Sequence, residues 1–258
     1  MLVGLVLDDD DRAAIHRAFG RRMPVRLCDR ADALRSLLAG GGVRLVASEL
    51  RDRAGASVIP VLGEAAGRAE APAIVARVAL GDAAAADAIQ LAVARVPARM
   101  SLRTVEPIGD ALSAALGGEP RADAVILERV GPLVAPPVRA FTVLCAVAPS
   151  PRLHVERAAS LLGVARRTLE TRLAVAALPP AHRMIGWCVA LHAVWRLDLL
   201  GRRPKQVAAD LGFLSSAALA NLLARYCRAS PMSLREHGAF QAQLERFAAL
   251  LQPGMRAR

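Results

Sequence analysis

Aromatic side chains are scarce in this chain. At 3% of 258 residues they leave an apolar fraction of 54% to be carried mainly by Ala, Leu and Val. A core of that composition favours helices packed at close approach, and it offers no broad stacking platform for single-stranded nucleic acid. Lysine is scarcer still, Lys205 being the only one. The cysteines Cys28, Cys145, Cys188 and Cys227 form no C-x-x-C pair and fit no common zinc spacing. Cys145 and Cys188 sit in apolar helical runs and read as buried small hydrophobes. No apolar run reaches about 18 residues, so no membrane span is expected. The opening Met-Leu-Val-Gly-Leu-Val-Leu, followed by four aspartates, lacks the basic segment of a signal peptide. A reduced, cytoplasmic setting is the expectation.

What the chain does have is positive charge, unevenly placed. Residues 1–133 hold 17 Lys+Arg against 17 Asp+Glu, and the remaining residues hold 17 against 6. The whole net charge of +11 therefore belongs to the second half. A genome-wide arginine bias would enrich both halves, whereas the loss of acids is confined to one. A neutral half followed by a basic half suits a regulatory or assembly module joined to a polyanion-binding module.

The first third alternates short apolar runs with helical patterns. Strands are expected at Val3–Leu7, Val25–Cys28, Val43–Ala47 and Ala73–Leu80, with a weaker one at Leu102–Val105. Helices are expected between them, at Arg12–Phe19, Arg30–Ala39, Val58–Ala66 and Ala83–Arg95. That alternation predicts an α/β domain over 1–105 with a parallel sheet. Residues 106–135 read as a connector with a short helix at Ile108–Leu116, and the pattern is helical from Val138 nearly to the end, broken at prolines. An all-α domain is expected over 136–240, then a helix end and tail over 241–258.

Within Lys205–Arg235, Val207, Ala208 and Leu211 form the inner face of a short helix. Gly212 supplies the left-handed turn, and Ser215 or Ser216 caps the next helix. Leu219, Leu222, Leu223 and Tyr226 make one apolar stripe on that helix. This is a helix-turn-helix, whose second helix offers its polar face to the major groove. A second such motif lies upstream at Val155–Leu173. There Ala158, Ala159 and Leu162 face inward, Gly163 turns, Leu169 and Leu173 pack, and Arg166, Arg167, Glu170 and Thr171 face outward.

Lys205–Arg235 resembles the signature of the AraC/XylS family of transcription regulators. Val207, Ala208, Gly212, Phe213, Ser215, Ser230, Pro231 and Arg235 match it, and Leu219, Leu223 and Leu234 are apolar substitutes. The resemblance implies a double helix-turn-helix domain in which a long helix, here Ala181–Leu200, joins the two motifs. It implies duplex DNA as partner, with contacts from Arg166, Arg167, Thr168, Glu170, Thr171 and Arg172 of the first motif. From the second it implies Ser215, Ser216, Ala217, Asn221 and Arg225. Family members often carry cations where Asn221 and Ala224 stand, and glycine where Arg228 stands. The first motif, with Arg166 and Arg167, is therefore expected to do more of the base reading.

The strand, acid cluster and helix at the N-terminus resemble a response-regulator receiver domain. In that family, acids after the first strand bind Mg²⁺, an aspartate ending the third strand accepts phosphate, and a lysine near the fifth strand holds the phosphoryl group. Asp8–Asp11 fall at the metal position, Glu49 stands near the phosphoacceptor position, and Lys205 lies in the other domain. A degenerate receiver-like domain follows, without a working phosphoswitch. Its acids are read either as a residual metal site or as a solvated loop capping the following helix.

The expectation is thus a DNA-binding transcription regulator that is not an enzyme and takes no cofactor. A homodimer through the N-terminal domain and contact with RNA polymerase are expected partnerships. An enzyme with a fused AraC-like domain, such as an alkyl-transfer repair protein, would need an activated cysteine in Pro-Cys-His-Arg, and none of the four has that setting. Scattered histidines such as His192 read as structural. The alternative is an interaction protein whose helix-turn-helix fold has lost specific DNA binding.

Overall fold

The computed structural model describes residues 1–118, 121–236 and 238–252. Its contacts divide the chain into two compact units, Met1–Ala124 and Val125–Arg258.

The first unit is α/β. Strands β1 (Leu2–Leu5), β2 (Val25–Cys28), β3 (Leu45–Glu49), β4 (Ala73–Val78) and β5 (Ala98–Leu102) form one sheet in the order β2-β1-β3-β4-β5. Every pairing is parallel, with Leu2 opposite both Val25 and Leu45. Helices α1 (Asp9–Phe19), α2 (Ala31–Ala39), α3 (Ile59–Ala66), α4 (Asp82–Val93) and α5 (Ile108–Leu116) complete it. The interior strands are apolar almost throughout, as parallel strands covered on both faces must be. In this doubly wound order the direction in which successive strands are added reverses between β1 and β3.

Besides shifts of two or three residues at the ends of β1, β3, β4, α1 and α4, two elements differ from the sequence reading. The fifth strand lies four residues earlier than expected, because Ala98, Met100 and Leu102 carry its burial. Its polar residues disguised it: Arg99 pairs with Glu106, and Ser101 is fully buried against Arg77. After Leu102 the chain turns, with Val105 and Glu106 N–H both donating to the Leu102 carbonyl. The helix at 108–116, read as part of a connector, is the fifth helix of the α/β unit. Its Ile108, Ala111 and Leu112 join Leu2, Ile15, Phe19, Leu45 and Val75 in one core.

The second unit is all-helical. Helix α6 (Ala122–Val130) crosses the division between the units and leads to α7 (Pro136–Val147). Then come α8 (Val155–Leu161), α9 (Arg166–Val175), α10 (Ala181–Asp198), α11 (Pro204–Asp210), α12 (Ser216–Cys227) and α13 (Ala239–Leu251). Most of α10 is buried, from Met184 through Val194, and it packs against α7, α9, α11, α12 and α13. Cys145 and Cys188 are buried, and the buried His192 ring Nε2 sits 2.7 Å from the Ala146 carbonyl. The scarce aromatics gather here: Trp187 meets Tyr226 edge-on at 5.7 Å and stacks with Phe247 at 5.6 Å. Helix α13, read from sequence as a helix end after 240, is a full element that buries Phe240, Leu244, Phe247 and Leu251. Most of the expected frayed tail, 253–258, lies outside the described residues.

Candidate nucleic-acid interface

Each motif in the helical unit is a short helix, a glycine turn and a longer helix. Helix α8 buries Ala158 and Ala159, and α11 buries Val207 and Ala208. Gly163 and Gly212 then turn the chain at φ +66° and +77°, which a side chain would strain. The hydrogen bonds around them match. Gly163 N–H donates to Ser160 O and Val164 N–H to Ala159 O; Gly212 N–H donates to Ala209 O and Phe213 N–H to Ala208 O. Leu169 and Leu173 bury α9, as Leu219 and Leu223 bury α12.

The motifs differ by one residue. Gly163 precedes its first buried leucine, Leu169, by six positions, and Gly212 precedes Leu219 by seven. The longer turn displays Leu214 and then Ser215, whose hydroxyl accepts the Ala218 N–H at 3.2 Å and caps α12. Helix α9 has Ala165 at its N-cap position and no side-chain cap. Both motifs border a groove of about 980 Å³, to which α9 contributes Arg166 and Glu170, α10 contributes His182 and Ile185, and the second turn contributes Gly212 and Leu214.

All the residues expected to meet DNA are exposed: Arg166, Arg167, Thr168, Glu170, Thr171 and Arg172 on α9, and Ser215, Ser216, Ala217, Asn221 and Arg225 at the start and along the face of α12. The structure changes the reading of Arg166. Its guanidinium donates to Glu170 at 2.9 Å, one turn along the same helix, and also pairs with Glu156 of α8. Hydrogen bonding to Glu170, then the charge of Glu156, raises the Arg166 pKa above its ordinary value. Two carboxylates therefore compete with any guanine or phosphate for this arginine, and Glu170 is its counter-ion rather than an independent reader. Arg225 lies 5.6 Å from the centre of the Tyr226 ring.

Helix α12 is seated by a close approach. A Cβ on Gly186 of α10 would stand 2.1 Å from the Tyr226 hydroxyl, so glycine is what allows Tyr226 to approach α10 this closely. The Tyr226 hydroxyl is 3.5 Å from the His182 carbonyl oxygen.

The α/β unit carries a different charged centre, at the carboxyl ends of β1, β3 and β4. Asp8 caps α1 by accepting the Asp11 N–H at 2.9 Å. That bond, with the nearby Arg103 and Arg77 charges, holds the Asp8 carboxyl below its ordinary pKa against a smaller opposing push from burial. Asp11 is buried and receives two parallel bonds of 2.9 Å from Arg77, itself only 4% exposed. Arg77 also donates to Ser101 Oγ at 2.9 Å and to the Glu106 carbonyl at 2.6 Å. Arg103 reaches Asp8 at 3.2 Å, Glu49 at 3.0 Å and Asp11 at 3.6 Å. Glu49 in turn accepts the Leu7 N–H at 2.8 Å.

These carboxylates do not fit a magnesium site. Two guanidinium groups already take the oxygen atoms that a divalent cation would need, and among the described residues no group of three His, Cys, Asp or Glu is placed to hold a metal. Of the two sequence readings of Asp8–Asp11, the capping one describes Asp8; Asp11 is neither solvated nor a ligand but the partner of a buried arginine. Sequence reasoning passed over Arg77 and Arg103. A lone arginine inside the apolar run Ala-Ile-Val-Ala-Arg-Val was the available signal, since a buried cation demands a carboxylate.

No family model and no curated protein matches the chain. Among solved structures, the RcsB response regulator of Salmonella typhimurium, described for its conformational dynamism in DNA interaction, aligns with 87% of this chain and 98% of its own. The identity is 13% and the TM-score 0.37, a superposition too loose to assign a function. Among the described residues no helix is long and apolar enough to cross a membrane.

Proposed function

We propose that the protein is a sequence-specific, duplex-DNA-binding transcription regulator of AraC type, working as a binding protein rather than an enzyme. The observation that carries this reading is the repeated motif. Two helix-turn-helix motifs with matching turn hydrogen bonds are joined by one buried helix, in the part of the chain that holds the whole net positive charge. Their second helices would enter successive segments of the major groove. Exposed Arg167, Arg172, Arg225 and Arg228 supply the cations for phosphates.

The α/β unit would regulate without phosphorylation, its acids being held by Arg77 and Arg103. Self-association through this unit is supported by Val93 at the end of α4, Val105 in the turn after β5 and Leu116 at the end of α5, which stand 41–48% exposed. RNA polymerase is the expected further partner of such a regulator.

The test is a gel shift at fixed salt with the full chain. Arg166→Ala combined with Arg167→Ala should abolish preference for a selected duplex; unchanged affinity with unchanged preference would sink the assignment. A second reading, an interaction protein with a silent helix-turn-helix, draws on the pairing of Arg166 with Glu156 and Glu170 and on the uncharged Asn221 and Ala224. It requires that binding to genomic DNA be weak and nearly independent of salt.

A further inference from the structure

The face that α12 presents has an unusual chemistry. Its exposed positions Ala217, Asn221 and Ala224 recur at helical spacing along one side, and the left-handed C-cap Arg228 follows them. Ahead of them, in the longer turn, Leu214 is 92% exposed, the most exposed large apolar side chain among the described residues. Asn221, Ala224 and Arg228 also line a shallow hollow of about 490 Å³ with Ala220, Ser230 and Pro231. The leading half of this face thus offers hydrocarbon, small hydroxyls and one carboxamide. It has no carboxylate, and its cations come only in the last turn, at Arg225, and at the C-cap, Arg228, away from the N-terminal positions that reach base edges.

Each base presents its own pattern in the major groove. Thymine alone shows a methyl group, and adenine shows the N7 and N6 pair that a carboxamide meets with two hydrogen bonds. Guanine is best read by a bidentate cation and cytosine by an acceptor such as a carboxylate. On the reading of the second motif as a DNA-binding element, we propose that α12 selects A·T pairs. Asn221 bonds an adenine edge, while Leu214 and Ala217 lie against thymine methyls. The first motif, with its arginines and threonines, reads the other segment by hydrogen bonds. The second motif then owes its specificity to one carboxamide and to apolar contact rather than to charge.

The experiment uses the full chain and duplexes that it selects from a random-sequence pool. The segment under α12 is the one whose base preference changes with Asn221→Ala or Leu214→Ser; Leu214 is exposed, so its replacement leaves the fold intact. Thymines in that segment are then replaced singly by deoxyuridine, which removes only the methyl. Each contacted methyl should weaken binding about fourfold, and Leu214→Ser should abolish the effect at the thymine Leu214 touches. Asn221→Ala should cost about tenfold and relax the preference for adenine. A G·C-rich segment, a preference unmoved by both variants, or affinities unchanged by deoxyuridine at every position overturns the inference while leaving DNA binding in place. Failure to enrich any sequence overturns the DNA-binding reading itself.

Discussion

Arginine is used in opposite ways in the two units. In the α/β unit Arg77 and Arg103 turn inward onto Asp8, Asp11 and Glu49, so that cation and carboxylate cancel inside the molecule. In the helical unit Arg167 and Arg172 stand exposed on α9, Arg225 on α12, and Arg228 at the C-cap of α12. A count of charged residues treats these groups alike. Their surroundings separate them: an arginine with a buried carboxylate serves the fold, and one without such a partner is available to a polyanion. Arg166 stands between the two cases, exposed yet held by two glutamates.

The sharpest way to break this contrast is Arg77→Met. It leaves buried Asp11 with only the longer contact to Arg103, and urea denaturation should show the α/β unit losing about 3–5 kcal/mol. Adding Asp11→Leu should restore most of that. A loss below about 1 kcal/mol would place Arg77 with the surface arginines.

Arg166 is tested from the opposite side. Glu156→Gln with Glu170→Gln removes its two competitors and should tighten duplex binding several-fold at low salt. The slope of log K against log salt should steepen by about one unit as Arg166 becomes available to a phosphate. Unaltered affinity and slope would mean that this arginine never meets the nucleic acid.

The smallest effect separates the two motifs themselves. Ser215→Ala removes the cap of α12 and should cost about 1 kcal/mol in thermal or denaturant unfolding. Ala165→Ser should return a smaller gain by giving α9 the cap it lacks. Equal and negligible changes would show that the turns are fixed by packing alone.

Much of this architecture could be read from the sequence, because hydrophobic period and turn chemistry are local signals. The parallel sheet came from alternating apolar runs and helical patterns, and both motifs came from a leucine-glycine turn between two apolar stripes. The losses came where polar residues are buried. Strand β5 hides Arg99 and Ser101 among its apolar residues, and the α/β charge centre joins Asp8 and Asp11 to Arg77 and Arg103 across the sheet. Partners that far apart in sequence leave no mark in a local window. The face of α9 was correctly placed on the surface, but the ion pair from Glu156 to Arg166 spans two helices, and it changes what that face can do.

The central claim is sequence-specific binding of duplex DNA by the helical unit. Its most direct test is the ratio of dissociation constants for a selected duplex and a scrambled duplex, measured with the full chain at one physiological salt concentration. A regulator of this kind should prefer the selected duplex by about a thousandfold or more. A ratio near one would contradict the account, even if both duplexes bound tightly.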